Sequence, residues 1–254
     1  MRSDEELANG VVIAEGVVLG EDVKLGWHVV IHGGTTIGDG CVIEDNAVIG
    51  RPGAGTHARS NHARMETTAI GAGSRVGSGA VISAGAIVGP DCLVGPLASL
   101  GERARLAGAI DVGTGVRIEH DVSVGRGTRI GTNAHLAAYS EIGDEVLVGP
   151  GVVVEPREPG DPGAESSGRA RSRVRDRATL GAGVVLISDV EIGEDAVVAS
   201  GALVTKNVPP AKLVAGFPAR VWRDVPRPRR AHGLGSGPEN GGASADNGHR
   251  KESA

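Results

Sequence analysis

The sequence predicts an all-β solenoid, in which short strands and turns wind into a three-sided parallel coil of about nine turns with two extruded loops. Three observations carry that prediction. Aliphatic residues recur at every sixth position, aromatic residues make up only 2% of the chain, and 42 of its 254 residues are glycine. A period of six fits neither an α-helix nor a long strand. It fits a short strand, a turn and another short strand, each strand turning one aliphatic side chain inward. A core with so few rings must be filled in thin layers by Val, Ile, Leu and Ala, which disfavours an ordinary sandwich or bundle. The glycines lack the Gly-X-Y period of collagen.

In chain order, residues 1–10 form an acidic N-terminal segment without the basic-then-apolar order of a signal peptide, which points to the cytoplasm. The β-helix domain spans residues 11–208. Its count of six begins at Ile13 and runs through Leu19, Leu25, Ile31, Ile37 and Ile43 to Ile49. It resumes at Ile70 and holds without exception to Val154, then resumes at Val174 and runs to Val204. Glycine is the commonest residue directly after the aliphatic one, as at Gly38, Gly71 and Gly149, and a small or β-branched residue stands four places on. Cys41 and Cys92 fall in that small slot. They read as buried structural thiols rather than redox or nucleophilic groups, and two cysteines make neither a disulfide framework nor a zinc knuckle.

The count breaks over residues 51–69 and 155–173. Fourteen hexads separate Ile70 from Val154, so Ile49 and Val154 belong on one face and both loops leave the prism at one corner. They stand five coils apart, about 24 Å at ~4.8 Å per strand. Loops expelled at one corner of a solenoid are where binding functions are placed. The first carries His57, Arg59, Asn61, His62 and Arg64, a basic loop suited to an anionic substrate or a neighbouring subunit; the second has no histidine. Residues 209–225 form a C-terminal cap, and 226–254, rich in Arg, Pro, Gly and Ser, read as a disordered tail.

The residue before each aliphatic one faces outward. That slot is apolar early (Val12, Val18, Val30, Val42, Val48) and turns polar from Arg105 to Glu141. An apolar exterior on a thin prism suits burial against other subunits, and the polar island suits a substrate cleft. Ile118, Leu136 and Val154 stack on one face, so Arg117, Glu119 and His135 should converge at the root of the second loop, with His120, Asn133 and Tyr139 at adjoining turns. His135 is the leading candidate for a general base, because imidazole titrates near neutrality, and Glu119 is the alternative. Arg117, His120, Asn133 and Tyr139 are the candidate substrate-binding residues. A formal charge of -5 argues against nucleic acid as a partner, and no run of 18 apolar residues offers a membrane span.

The sixfold pattern over residues 11–222 resembles the hexapeptide-repeat acyltransferases. The resemblance implies a left-handed parallel β-helix and assembly as a homotrimer. The ending of residues 198–210 (VASGALVTKNVPP) with 214–221 (VAGFPARV) looks like the terminal signature of the acetyl-CoA-dependent members. That likeness implies acetyl-CoA, or another acyl-CoA, as co-substrate. Gly181, Ala182, Ala199 and Ser200 would line its pantetheine arm, Lys206 and Arg220 would face its phosphates, and no metal is expected. Small residues admit a thin amide chain closely, and cations suit phosphate.

Relatives that acetylate hydroxyls carry a histidine in or beside the long loop, absent here between Val154 and Val174. The run 129–150 (RIGTNAHLAAYSEIGDEVLVGP) resembles N-acetyltransferases acting on nucleotide-linked amino sugars, although Glu155 and Pro156 depart from the Thr-Asn common there. The expectation is therefore acyl transfer to an amine, with O-acetylation of a sugar or small-molecule hydroxyl as the alternative. From other classes, a γ-type zinc carbonic anhydrase would need three histidines meeting between subunits, and a non-catalytic β-helix scaffold would retain no CoA.

Overall fold

The computed structural model describes residues 9–52, 67–155, 172–187 and 189–225. The histidines and arginines of the first loop, nearly all of the second loop and the tail 226–254 lie outside the described residues.

Every hexad predicted from the sequence forms a short strand, and three strands make a coil. The first face holds ten strands from Val12–Ile13 to Leu203–Val204, and the second holds nine from Val18–Leu19 to Glu191–Ile192. The third runs from Lys24–Leu25 to Val197–Val198 and ends in Lys212–Gly216 and Ala219–Asp224, eleven strands in all. Pairing between coils is parallel and in register, aliphatic over aliphatic: Ile82 on Ile49, Ile118 on Leu100, Leu136 on Ile118. The spindle has about ten turns on its first face, one more than a simple division of the hexads gives, because that face both opens and closes the count. Strand Lys212–Gly216 extends the third face in parallel and then folds back, antiparallel, into Ala219–Asp224. This hairpin lies within residues 209–225.

The core is a column of two kinds of side chain. The sixfold aliphatics from Ile31 to Val204 are buried, and so is the small slot four residues on, Ala80, Ala98, Ala134 and Ala196 among others. Both cysteines sit there, reduced and buried. Burial pushes both thiols above their ordinary range, against backbone hydrogen bonds that pull the other way. A side chain after the aliphatic residue would strike the next coil: a Cβ at Gly149 would stand 2.6 Å from the Ala182 amide nitrogen. Glycine in that place is therefore dictated by stacking.

Ile49 and Val154 lie on the first face, Ile70 and Val174 on the second. Both loops do leave at the same corner, five coils apart. Their roots are shorter than the sequence suggests, because strand Val48–Arg51 and strand Thr68–Ile70 reach into the first break and Arg173 opens the strand after the second. Outward slots follow the expected alternation: Arg105, Asp111, Arg117 and Arg129 are exposed beside buried aliphatics.

Candidate functional site

At the corner between the first and second faces, successive coils contribute turns at 101–103, 119–121 and 137–139, and the next coil leads through Glu155 into the second loop. The third residue of each turn has left-handed backbone (Arg103 φ 58°, Asp121 φ 57°, Tyr139 φ 65°), so these three side chains occupy equivalent positions one coil apart. Backbone bonds tie the turns together: Asp121 N–H donates to Glu102 O at 2.9 Å and Tyr139 N–H to His120 O at 3.2 Å. Gly101 allows the stack, since a Cβ there would meet the His120 amide nitrogen at 2.5 Å.

Two histidine–carboxylate pairs result. His135 Nε2 stands 3.0 Å from Glu119 Oε1. The other oxygen of Glu119 accepts from the Ala138 amide at 3.2 Å, and the exposed Arg117 guanidinium approaches Glu119 Oε1 at 3.7 Å. In the second pair His120 Nδ1 lies 2.9 Å from Asp121 Oδ2. Arg103 grips the same carboxylate with both prongs, Nε to Oδ1 and Nη2 to Oδ2, each at 2.7 Å. Tyr139 meets the His120 ring edge-on, with centroids 5.1 Å apart. Burial works to raise the Asp121 carboxyl, but hydrogen bonds from Arg103 and His120 outweigh it and hold it well below the usual carboxylate range. An ionised carboxylate can only accept, so His120 donates from Nδ1 and, when neutral, carries its lone pair on Nε2.

Of the residues predicted from sequence, Arg117, Glu119, His120, His135 and Tyr139 do gather at the second loop's root. Asn133 does not. It turns between the third and first faces, at the opposite edge of His135's strand, with its side-chain oxygen over Gly115. The shift follows from the turn preceding the strand, which puts Asn133 on the other corner from the turn that follows it. Asp121 and Arg103 join them without a signal in the motifs, although their separation of 18 residues is one coil and stacks them.

Asn133 instead shares a corner with the coenzyme candidates. The Gly151 amide donates to Thr132 O at 2.9 Å, the Gly183 amide to Pro150 O at 2.9 Å and the Gly201 amide to Ala182 O at 2.8 Å, forming one column of turns. Gly181, Ala182, Ala199 and Ser200 belong to this column. Lys206 and Arg220 lie elsewhere, lining together with Val204, Asn207 and Val214 a cavity of about 240 Å³ beneath the C-terminal hairpin. A wider recess between Lys24 and Arg75 is remote from both, and its Glu44 is already held by Arg75 and Ser78. Among the described residues no three His, Cys, Asp or Glu side chains group to hold a metal ion, and no helix is long and apolar enough to cross a membrane.

The bacterial transferase hexapeptide model matches residues 16–51, 121–156 and 171–206. A Schizosaccharomyces pombe protein described as a serine acetyltransferase is 46% identical over 63 residues, 25% of this chain and 23% of that protein. A 2,3,4,5-tetrahydropyridine-2,6-dicarboxylate N-acetyltransferase of Staphylococcus aureus is 40% identical over 52 residues, 20% of this chain and 22% of its own. The chain thus spans less than a quarter of the length of either. A UDP-N-acetylglucosamine acyltransferase from Bacteroides fragilis superposes over 88% of this chain and 74% of its own, with TM-score 0.55 and 19% identity, a likeness of fold.

Proposed function

From a chain that carries the bacterial transferase hexapeptide repeat and has acetyltransferases among its relatives, we propose a CoA-dependent acyltransferase acting on a small-molecule acceptor. The observation that carries this reading is the pairing of His120 with an ionised Asp121 at the root of the second loop. In this reading the acceptor attacks the thioester carbonyl and gives its proton to His120 Nε2. The tetrahedral intermediate then expels the CoA thiolate, and His120 returns the proton to its sulfur. Asp121 keeps the ring in the receiving tautomer and stabilises the imidazolium. The base thus moves from His135 to its neighbour, because Glu119 engages His135 through Nε2, the outer ring nitrogen, whereas Asp121 engages His120 through the inner one. His135, Glu119 and Arg117 then flank the acceptor.

The co-substrate is acetyl-CoA or another short acyl-CoA. Within one chain the column of Gly181, Ala182, Ala199 and Ser200 stands at a different corner from His120, so the arm would run along that column of a neighbouring copy, with Lys206 and Arg220 toward its phosphates. The preferred acceptor is the amino group of a nucleotide-linked amino sugar, which rests on the resemblance of residues 129–150. The histidine–aspartate pair favours a second reading, a hydroxyl acceptor, since an alcohol needs a base during attack while a neutral amine does not. A homotrimer belongs to the same proposal, in keeping with the apolar outward slots of the first face, Val12, Val30, Val48, Val153 and Leu203.

The test is the purified chain with acetyl-CoA and parallel panels of amino-sugar nucleotides and hydroxylated sugars, read by released thiol and product mass. His120→Gln should lower turnover by about 10²- to 10⁴-fold. Absence of thiol release with every acceptor would sink the proposal.

A further inference from the structure

Arg103 is built into the site through the carboxylate of Asp121. Its guanidinium spans both oxygens of Asp121, and the oxygen it shares with His120, Oδ2, takes Nη2 at 2.7 Å and Nδ1 at 2.9 Å. The fork leaves Asp121 one orientation, and that orientation sets the ring of His120. Tyr139, one coil on, meets the imidazole edge-on. We propose that Arg103 is a positioning residue that fixes the Asp121 carboxylate so that His120 is held in a single orientation and tautomer. The inference rests on His120 being the base. Planar, two-pronged contact is a property of guanidinium that an ammonium lacks, so a lysine in this place should do only half the work.

Among the described residues, the charged and titratable groups near His120 come from four coils. The preceding coil offers Glu102 and Arg103, its own strand Arg117 and Glu119 beside Asp121, and the next coil His135 and Tyr139. Glu155 stands at the loop root, and Arg105 and Glu141 lie on the adjoining face. Among the described residues, Arg103 is the cation bound directly to His120's partner Asp121. Removing it while Asp121 remains ionised takes away a positive charge that opposes the imidazolium.

The experiment compares the full chain with its Arg103→Gln, Arg103→Lys and His120→Gln variants. Histidine nitrogen and carbon-bound proton NMR on the protein itself reports the tautomer, with His120 assigned by its loss in His120→Gln. In Arg103→Gln the His120 signal should move away from the pure Nδ1–H form, and its protonation midpoint should rise. With acetyl-CoA and a reactive acceptor from the panels, kcat should fall by up to about a hundredfold with KM little changed. The acid limb of the pH–rate profile should shift to higher pH. Arg103→Lys, which keeps the charge but not the fork, should leave the acid limb in place with an intermediate kcat; it also serves should the glutamine variant not fold. An unmoved tautomer and acid limb in both Arg103 variants, with His120→Gln inactive, overturns the inference alone. An active His120→Gln overturns instead the assignment of the base.

Discussion

A single methyl group added at Gly181 measures how tightly the coils stack. A Cβ there falls 2.5 Å from the Ser200 amide nitrogen, 2.7 Å from its Oγ and 2.8 Å from its Cα, where ordinary contact begins near 3.4 Å. Two of these atoms are backbone, so relief requires the coils to part. Parting them stretches the bonds from the Gly181 amide to Val198 O and from the Gly201 amide to Ala182 O, both 2.8 Å. Each such bond contributes about 1 kcal/mol, and overpacking strain adds roughly 1–3 kcal/mol. Gly181→Ala should therefore cost about 3–5 kcal/mol. Gly183 is the control: it has φ +65° with nothing within 4 Å of its would-be Cβ, so alanine there costs only the left-handed conformation, about 1–2 kcal/mol. Urea unfolding followed by circular dichroism should rank Gly181→Ala clearly below Gly183→Ala. If the two variants unfold together, or Gly181→Ala is the more stable, the stacking argument is wrong.

Leu136, fully buried between Ile118 and the next coil, should cost about 2–5 kcal/mol as Leu136→Ala; a loss under about 1 kcal/mol in the same assay would contradict its inward packing. Asp121 titrates lower in the folded chain than in the unfolded one, near 3.9, so its contribution is present above that pH and disappears as pH falls through the folded value. Asp121→Asn should be less stable than the parent at pH 7 by about 1–2 kcal/mol, a figure kept small because the pair is partly open to solvent, and the gap should close in acid; a gap that is constant with pH refutes the ion pair. Cys41 and Cys92, buried with thiols raised by that burial, should resist a disulfide reagent in native buffer and react promptly in guanidinium, and fast native labelling would show the slot to be open.

The contrast between Asn133 and Asp121 shows where reading the sequence stops. The hexad count assigns each residue to a face and a coil, and so it correctly placed both loops at one corner and brought Glu119 to His135. It assigns turn residues less well, because the turn before a strand and the turn after it belong to different corners, and Asn133 fell on the wrong side of that division. Asp121 was passed over for a different reason. An aspartate in a left-handed turn has an ordinary local explanation in an Asx side chain that tolerates that conformation, and nothing adjacent in sequence marks Arg103 as its partner.

What the sequence determined by itself was periodic: an aliphatic residue at every sixth place, a small one between, and glycine where the next coil lies against the chain. Those requirements are local to one rung and repeat, so a one-dimensional count captures them. The tertiary structure decided what no count contains, namely side-chain direction across a corner: which ring nitrogen of His120 faces a carboxylate, and that Arg103 reaches Asp121 with two prongs. Those depend on rotamers set by neighbours 18 residues away, where the solenoid's rise brings distant parts of the chain within hydrogen-bond distance.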